Sequence, residues 1–207
     1  MKFKQFIYLA DNYLLLYDIS DLSTPVLETE FSELSALKDL LTKYRKNKTL
    51  ILLSANLYAN LILTPPFKNL DNIYKISSDL IAPLHYEKTE NSKFQTIFYE
   101  YQETANKLFI AYIPQQKYSQ LIENLGLTNF KITTFNQFLL FMNKNDNSII
   151  ANIYSEIDKI FYAHNFDENK NINLINAEFK EKKSVVTETI LLKDFFAKLS
   201  TQKVKQL

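Results

Sequence analysis

A mixed α/β fold with mixed parallel and antiparallel sheets is what this sequence predicts, on three observations. Three strand-like runs followed by a helical pattern occur over residues 2–44, and the same succession returns from residue 148. Apolar residues make up 46% and aromatic residues 14% of the 207 positions, enough for a sizeable core; a chain of this size buries roughly 70% of its extended-chain surface. The third observation is a near-absence: Gly126 is the sole glycine. Neither of the two hairpins has the bare backbone that lets N–H groups close on a phosphate.

The first unit reads as strand (3–9), tight turn at Asp11 and Asn12, strand (13–19), turn (21–25), strand (26–31) and helix (33–44). Ser32 is positioned to cap that helix and Glu33 lies at its positive end. Lys43, Arg45 and Lys46 lie at its negative end. Leu34, Leu37, Leu41 and Tyr44 recur at helical spacing. Two strand-like runs follow (49–54 and 56–63), stopped by Pro65 and Pro66, which lack a ladder donor. A helix with Leu70, Ile73, Leu80 and Ile81 on one side ends at Pro83. A polar loop (88–93) leads into a hairpin, 94–101 and 107–113. Pro114 then opens a helix with Tyr118, Leu121, Ile122 and Leu125 on its buried face, and Gly126 serves as its C-cap. A short strand (130–133) and a helix (136–142) complete this half, and 143–147 is the predicted inter-domain turn.

The second unit reads as strand (149–154), turn at Ser155 and Glu156, strand (157–164), turn (167–170), strand (172–177) and helix (188–199). The end of the chain, 202–207, is expected to fray. Together these give a first lobe over 1–143, carrying an inserted helix and hairpin, and a partial second lobe over 148–207.

Charge and inventory exclude several classes. Lys and Arg total 24 against 23 for Asp and Glu, a net charge of +1, so no global field draws nucleic acid or lipid headgroups. Arg45 is the only arginine, so forked recognition of phosphate or guanine has almost no donors. Without cysteine there is no disulfide, thiol catalysis or thiolate metal site. One glycine permits neither a GxxxxGK[ST] loop nor a GxGxxG turn, and no GxSxG elbow. No apolar run is long enough to cross a bilayer and no signal peptide is visible.

Two meanders each followed by a helix resemble the outline of a degenerate actin-like (sugar kinase, Hsp70 and actin) fold. Within that outline, residues 65–101, beginning P-P-F-K-N-L-D-N-I-Y-K and closing on F-Q-T-I-F-Y-E-Y, and residues 118–141, Y-S-Q-L-I-E-N-L-G-L-T-N-F-K-I-T-T-F-N-Q-F-L-L-F, resemble the cytoplasmic actin-like proteins of the GspL and PilM type, from type II secretion and type IV pilus machines. The resemblance implies a non-catalytic cytoplasmic adaptor or scaffold on an inner-membrane assembly platform, without a cofactor. Its partners would be a secretion ATPase or the cytoplasmic tail of a membrane protein, and nucleic acid would not be one. It would be peripheral to the inner membrane through those partners, and a homodimer is compatible with it. A GspL-type protein carries a transmembrane helix after this domain, and this chain has no such segment. It also stops after the first helix of its second half, short of a full second lobe.

In an ATP-using relative the first hairpin would hold an Mg²⁺-water aspartate. Asp11 and Asp18 lie there, and Glu156 and Asp158 lie in the second hairpin; with no glycine beside them, all four read as turn or solvated-edge residues. A second reading is a PilM-like ATP-binding protein with Asn and Asp in place of glycine at positive φ. A third is a single calcium site: Asp167, Asn169, Asn171 and Glu178 fall at positions one, three, five and twelve of an EF-hand loop. Ile172 occupies the sixth position, where the sharp turn requires glycine, and the alternation of Ile172 and Leu174 reads as strand. His85 and His164 have no second histidine or HExxH context. Phe94 and Phe98 alternating with Tyr99 and Tyr101, with Phe109 and Tyr112 across the bend, make the 94–113 hairpin apolar on both faces, which reads as a central sheet or as a partner surface. Gly126 and Pro83 are structural.

Overall fold

The computed structural model of the chain describes residues 3–63, 94–102, 107–144, 152–166, 172–179, 189–199 and 201–204. The expected helix over 70–81, Pro83, His85, Asp167, Asn169 and Asn171 lie outside them. In chain order the elements are β1 (Gln5–Leu9), β2 (Tyr13–Asp18), β3 (Leu27–Glu30), α1 (Ser35–Leu40), a single 3₁₀ turn (Thr42–Tyr44), β4 (Thr49–Leu53), β5 (Ala59–Leu63), β6 (Phe94–Gln102), β7 (Lys107–Pro114), α2 (Gln115–Leu125), β8 (Phe130–Thr134), α3 (Phe135–Lys144), β9 (Asn152–Ser155), β10 (Ile160–Phe166), β11 (Ile172–Phe179), β12 (Thr189–Leu191), α4 (Leu192–Lys198) and α5 (Thr201–Val204).

Three sheets result. The largest runs β3-β2-β1-β4-β8, with β1 antiparallel to β2 and parallel to β4, and β4 parallel to β8. A four-stranded sheet runs β11-β10-β9-β12, antiparallel within β9–β11 and parallel between β9 and β12. The third, β5-β7-β6, is antiparallel throughout.

The central strands β1, β2 and β4 of the largest sheet are buried on both faces, which is why they read as near-continuous apolar runs. Their side chains alternate between two cores. Phe6, Tyr8, Leu15, Tyr17, Leu50 and Leu52 point into one, which also takes Ile153 and Tyr162 of the four-stranded sheet, Phe135 and Phe138 of α3, and Phe195 and Phe196 of α4. Ile7, Leu9, Leu14, Leu16, Ile51 and Leu53 point into the other, under α1 and α2. The first core is a lattice of rings: Phe135 lies edge-on to Tyr162 at 4.8 Å and to Tyr8 at 5.3 Å, and Phe6 stacks on Tyr17 at 4.9 Å. Such pairs each contribute about 0.5–1.5 kcal/mol beyond their buried area. One apolar core is therefore common to segments on either side of the expected inter-domain turn, and Asn143 and Lys144 of that turn belong to α3.

Several expectations are corrected. The helix expected over 188–199 is a strand, Thr189–Leu191, followed by a helix, Leu192–Lys198, because Thr189 to Leu191 extend beside β9. The strand expected from 157 begins at Ile160, since 156–159 form the turn. Helix α1 starts at Ser35 with Leu34 in the N-cap position and no side-chain cap, so Ser32 does not cap it. The tail is not frayed at Val204, which is fully buried in the aromatic core.

Candidate functional site

The carboxyl ends of parallel strands β1 and β4 are where an open α/β sheet offers a ligand crevice. Tyr8 lies at that end of β1, and Ser54 directly follows β4, its N–H donating to Leu9 O at 2.8 Å. Into this corner enters the β9–β10 turn. The Tyr8 hydroxyl donates to Asp158 Oδ2 at 2.9 Å, and the Ser54 hydroxyl donates to the same oxygen. The Tyr162 hydroxyl lies 3.2 Å from that of Tyr8 and accepts the Ala55 N–H at 3.2 Å. A phenol has one proton; with the Tyr8 proton on Asp158, Tyr162 is the donor to Tyr8. Tyr8, Ser54 and Tyr162 are wholly buried, and Asp158 is half-buried.

Burial, with the charges of Tyr162 and Asp158 adding to it, holds the Tyr8 phenol well above its ordinary pKa. Burial and Asp158 do the same to Tyr162. Both phenols stay protonated at neutral pH and act as donors. The arrangement is a hydrogen-bonded clasp between two sheets.

The turn is tied on its other side as well. Glu156 Oε2 accepts the N–H of Leu192 at 3.1 Å, Lys159 Nζ donates to Glu156 O at 2.7 Å, and Lys159 holds φ 60°. Nearby, Glu28 accepts from Tyr13 and from Lys193 of α4. Those two bonds lower the Glu28 pKa, that of Lys193 first.

The first hairpin is different. Ala10 N bonds Tyr13 O at 2.9 Å to close the turn, and Asp11 is exposed, 4.0 Å from Lys117. Asp18 lies at the far end of β2 and accepts from the N–H and hydroxyl of Ser20 at 2.8 and 2.6 Å. Asp11 and Asp18 are thus not brought together. Asp11 and Asn12 do not have positive φ; among the described residues the non-glycine position that does is Lys159. Asp158, expected as a turn or solvated-edge residue, lies in the turn, but its carboxylate bonds Tyr8 and Ser54 of the first sheet instead of facing only water. The signal in the sequence was Tyr8 and Tyr162 on apolar strands, since a buried phenol needs a polar partner.

Of the other candidates, Gly126 adopts φ 60° as the C-cap of α2, its N–H bonding Ile122 O at 3.3 Å. Tyr112 is buried, edge-to-face with Phe94 at 5.5 Å, and so faces inward. Tyr99 and Tyr101 of β6 pair with Ile110 and Leu108 of β7, and Phe109 with Glu100. Glu178 stands in strand β11 opposite Phe161. Among the described residues no group of three or more His, Cys, Asp or Glu is placed to hold a metal ion, and no helix is long and apolar enough to cross a membrane.

No protein-family model matches the sequence, and no curated protein matches it by sequence. Solved structures similar to it include a Bacteroides thetaiotaomicron protein with actin-like ATPase fold and unknown function, at 18% identity and TM-score 0.50, covering 86% of this chain and 70% of that one. The cytoplasmic domain of EpsL, an inner-membrane component of the Vibrio cholerae type II secretion system, is 8% identical with TM-score 0.46, covering 81% and 68%. A PilM–PilN type IV pilus biogenesis complex is 11% identical with TM-score 0.40, covering 73% and 53%. With its 3-2-1-4 strand order and the first of these likenesses, the chain has an actin-like fold.

Proposed function

We propose that this chain is a non-catalytic actin-like adaptor, cytoplasmic and peripheral to the inner membrane, that binds an ATPase or the cytoplasmic tail of a membrane protein in a type II secretion or type IV pilus assembly. The observation that carries the non-catalytic part is the clasp. The corner at the ends of β1 and β4, toward which the second hairpin turns, is filled by Asp158, Tyr8, Ser54 and Tyr162. The assembly is suggested by the resemblance of residues 65–101 and 118–141 to GspL- and PilM-type proteins. In this reading 1–143 and 148–207 act as two lobes of one body. The outer edge of β6, the strand that carries Tyr99 and Tyr101, offers main-chain groups to an extended partner segment.

Two measurements test it. The melting temperature should stay within about a degree on adding millimolar Mg-ATP, and a rise of several degrees would overturn the non-catalytic claim. Size-exclusion chromatography with the secretion ATPase and with the pilus-protein cytoplasmic tail of the same organism should show co-elution with one of them. Failure with both would end the adaptor reading.

A further inference from the structure

At the opposite end of the largest sheet, where β1 and β4 begin, we infer a basic contact surface built to rest on an anionic lipid bilayer. Lys4, Lys38, Lys43, Arg45 and Lys46 are all exposed there, and Leu40 stands among them with 42% of its surface exposed. Asp39 is the one acidic residue within 38–48. Asp18, brought near by the bond from Ile19 N to Lys4 O, accepts from Ser20 at one carboxylate oxygen and is bridged to the exposed Asp21, so that with Asp39 three carboxylates stand against the five cations and a positive excess remains. None of the five cations forms an ion pair among the described residues. A net charge of +1 for the whole chain makes this excess local.

The surface is held in place. Gln5, buried under it, donates to Tyr44 O at 3.2 Å and to Thr49 Oγ1 at 2.7 Å, and accepts from Asn47 Nδ2 at 3.0 Å. Lys4 N bonds Lys48 O at 2.9 Å, and the Thr128 hydroxyl bonds Arg45 O at 2.9 Å. Two chain segments, one at Lys4 and one from Lys38 to Lys46, thereby present their cations on one end of the fold, with Thr128 anchoring the second.

The chemistry selects the partner. Four of the five cations are lysines, point charges on flexible stems that suit a fluid array of headgroups better than a fixed phosphate requiring a fork. An exposed leucine amid them adds apolar contact at the headgroup boundary, as on interfacial protein surfaces. Each lysine held near an anionic leaflet contributes about 1 kcal/mol, lost within a Debye length. This inference is independent of the adaptor reading, since it concerns the end of the fold remote from the clasp.

The test is sedimentation of the 207-residue chain with vesicles of phosphatidylcholine alone or mixed with phosphatidylglycerol. Binding is expected to the mixed vesicles only, and to be released by about 1 M salt. K43E/K46E should weaken it at least about tenfold, and L40A less, with melting temperatures unchanged because all three side chains are exposed. Three results would each overturn the inference: no binding to mixed vesicles, equal binding to neutral ones, or undiminished binding by K43E/K46E. Binding to polyglutamate but not to vesicles would overturn it in favour of an acidic protein partner.

Discussion

The two hairpin turns of this protein occupy equivalent steps in their sheets, yet they live in different solvents. In the first, Asp11 is exposed and, among the described residues, meets Lys117 at 4.0 Å. In the second, Asp158 reaches the neighbouring sheet and accepts hydrogen bonds from the hydroxyls of Tyr8 and Ser54. Both turns lack glycine, and the absence has two different consequences. At the first it leaves an ordinary solvated turn. At the second the turn's Asp158 bonds the side chains of Tyr8 and Ser54 in the neighbouring sheet. An acidic residue in a turn is thus no guide to its role until its partners are known.

The largest expected effect probes what the two turns share, the ring core behind them. Phe135 touches Tyr8, Tyr162, Phe138, Phe195 and Phe196. Phe135→Ala should cost about 3–5 kcal/mol in urea denaturation, and the unfolding should stay a single transition if both sheets depend on that core. Next comes the direct contrast. Asp158→Ala strands the Tyr8 and Ser54 hydroxyls and should cost about 2–3 kcal/mol, while Asp11→Ala should change stability by less than about 0.5 kcal/mol. Equal costs would erase the distinction between the turns.

The smallest effect lies at the surface bridge from β3 to α4. The Glu28 carboxyl has a lower pKa folded than unfolded, because Lys193 and then Tyr13 bond the charged form. Its contribution is complete above the ordinary glutamate range and is lost as pH falls through the lower folded value. The group is partly exposed, so after solvent screening Glu28→Gln should cost only about 0.5 kcal/mol or less at neutral pH. Wild type and variant should converge in stability at acid pH, and in high salt as far as the loss is ionic.

The regular architecture was legible where pattern and burial agree. The runs around Phe6 to Leu9, Leu14 to Tyr17 and Leu50 to Leu53 read as strands and are strands, though their burial on both faces was not read from them, and Gly126 marked its helix end because its left-handed φ closes that cap. Legibility failed where a short segment takes its state from a neighbour. Thr189 to Leu191 continue the helical spacing of Leu192, Phe195, Phe196 and Leu199, but pairing with Asn152 to Tyr154 extends them. Val204 lies in a polar tail and is buried all the same, because the aromatic core has room for it. The clasp was missed for a related reason. Its members are separated by as many as 154 residues, and neither charge nor spacing in one hairpin names a partner in the other.

The contact between Asp158 and Tyr8 can be measured by a double-mutant cycle of Tyr8→Phe and Asp158→Ala, read as unfolding free energies. The clasp predicts a coupling of about 1 kcal/mol or more, because each substitution removes the same buried hydrogen bond. Additivity within about 0.3 kcal/mol would mean that the turn does not engage the sheet, and would contradict the account of a cleft filled from within.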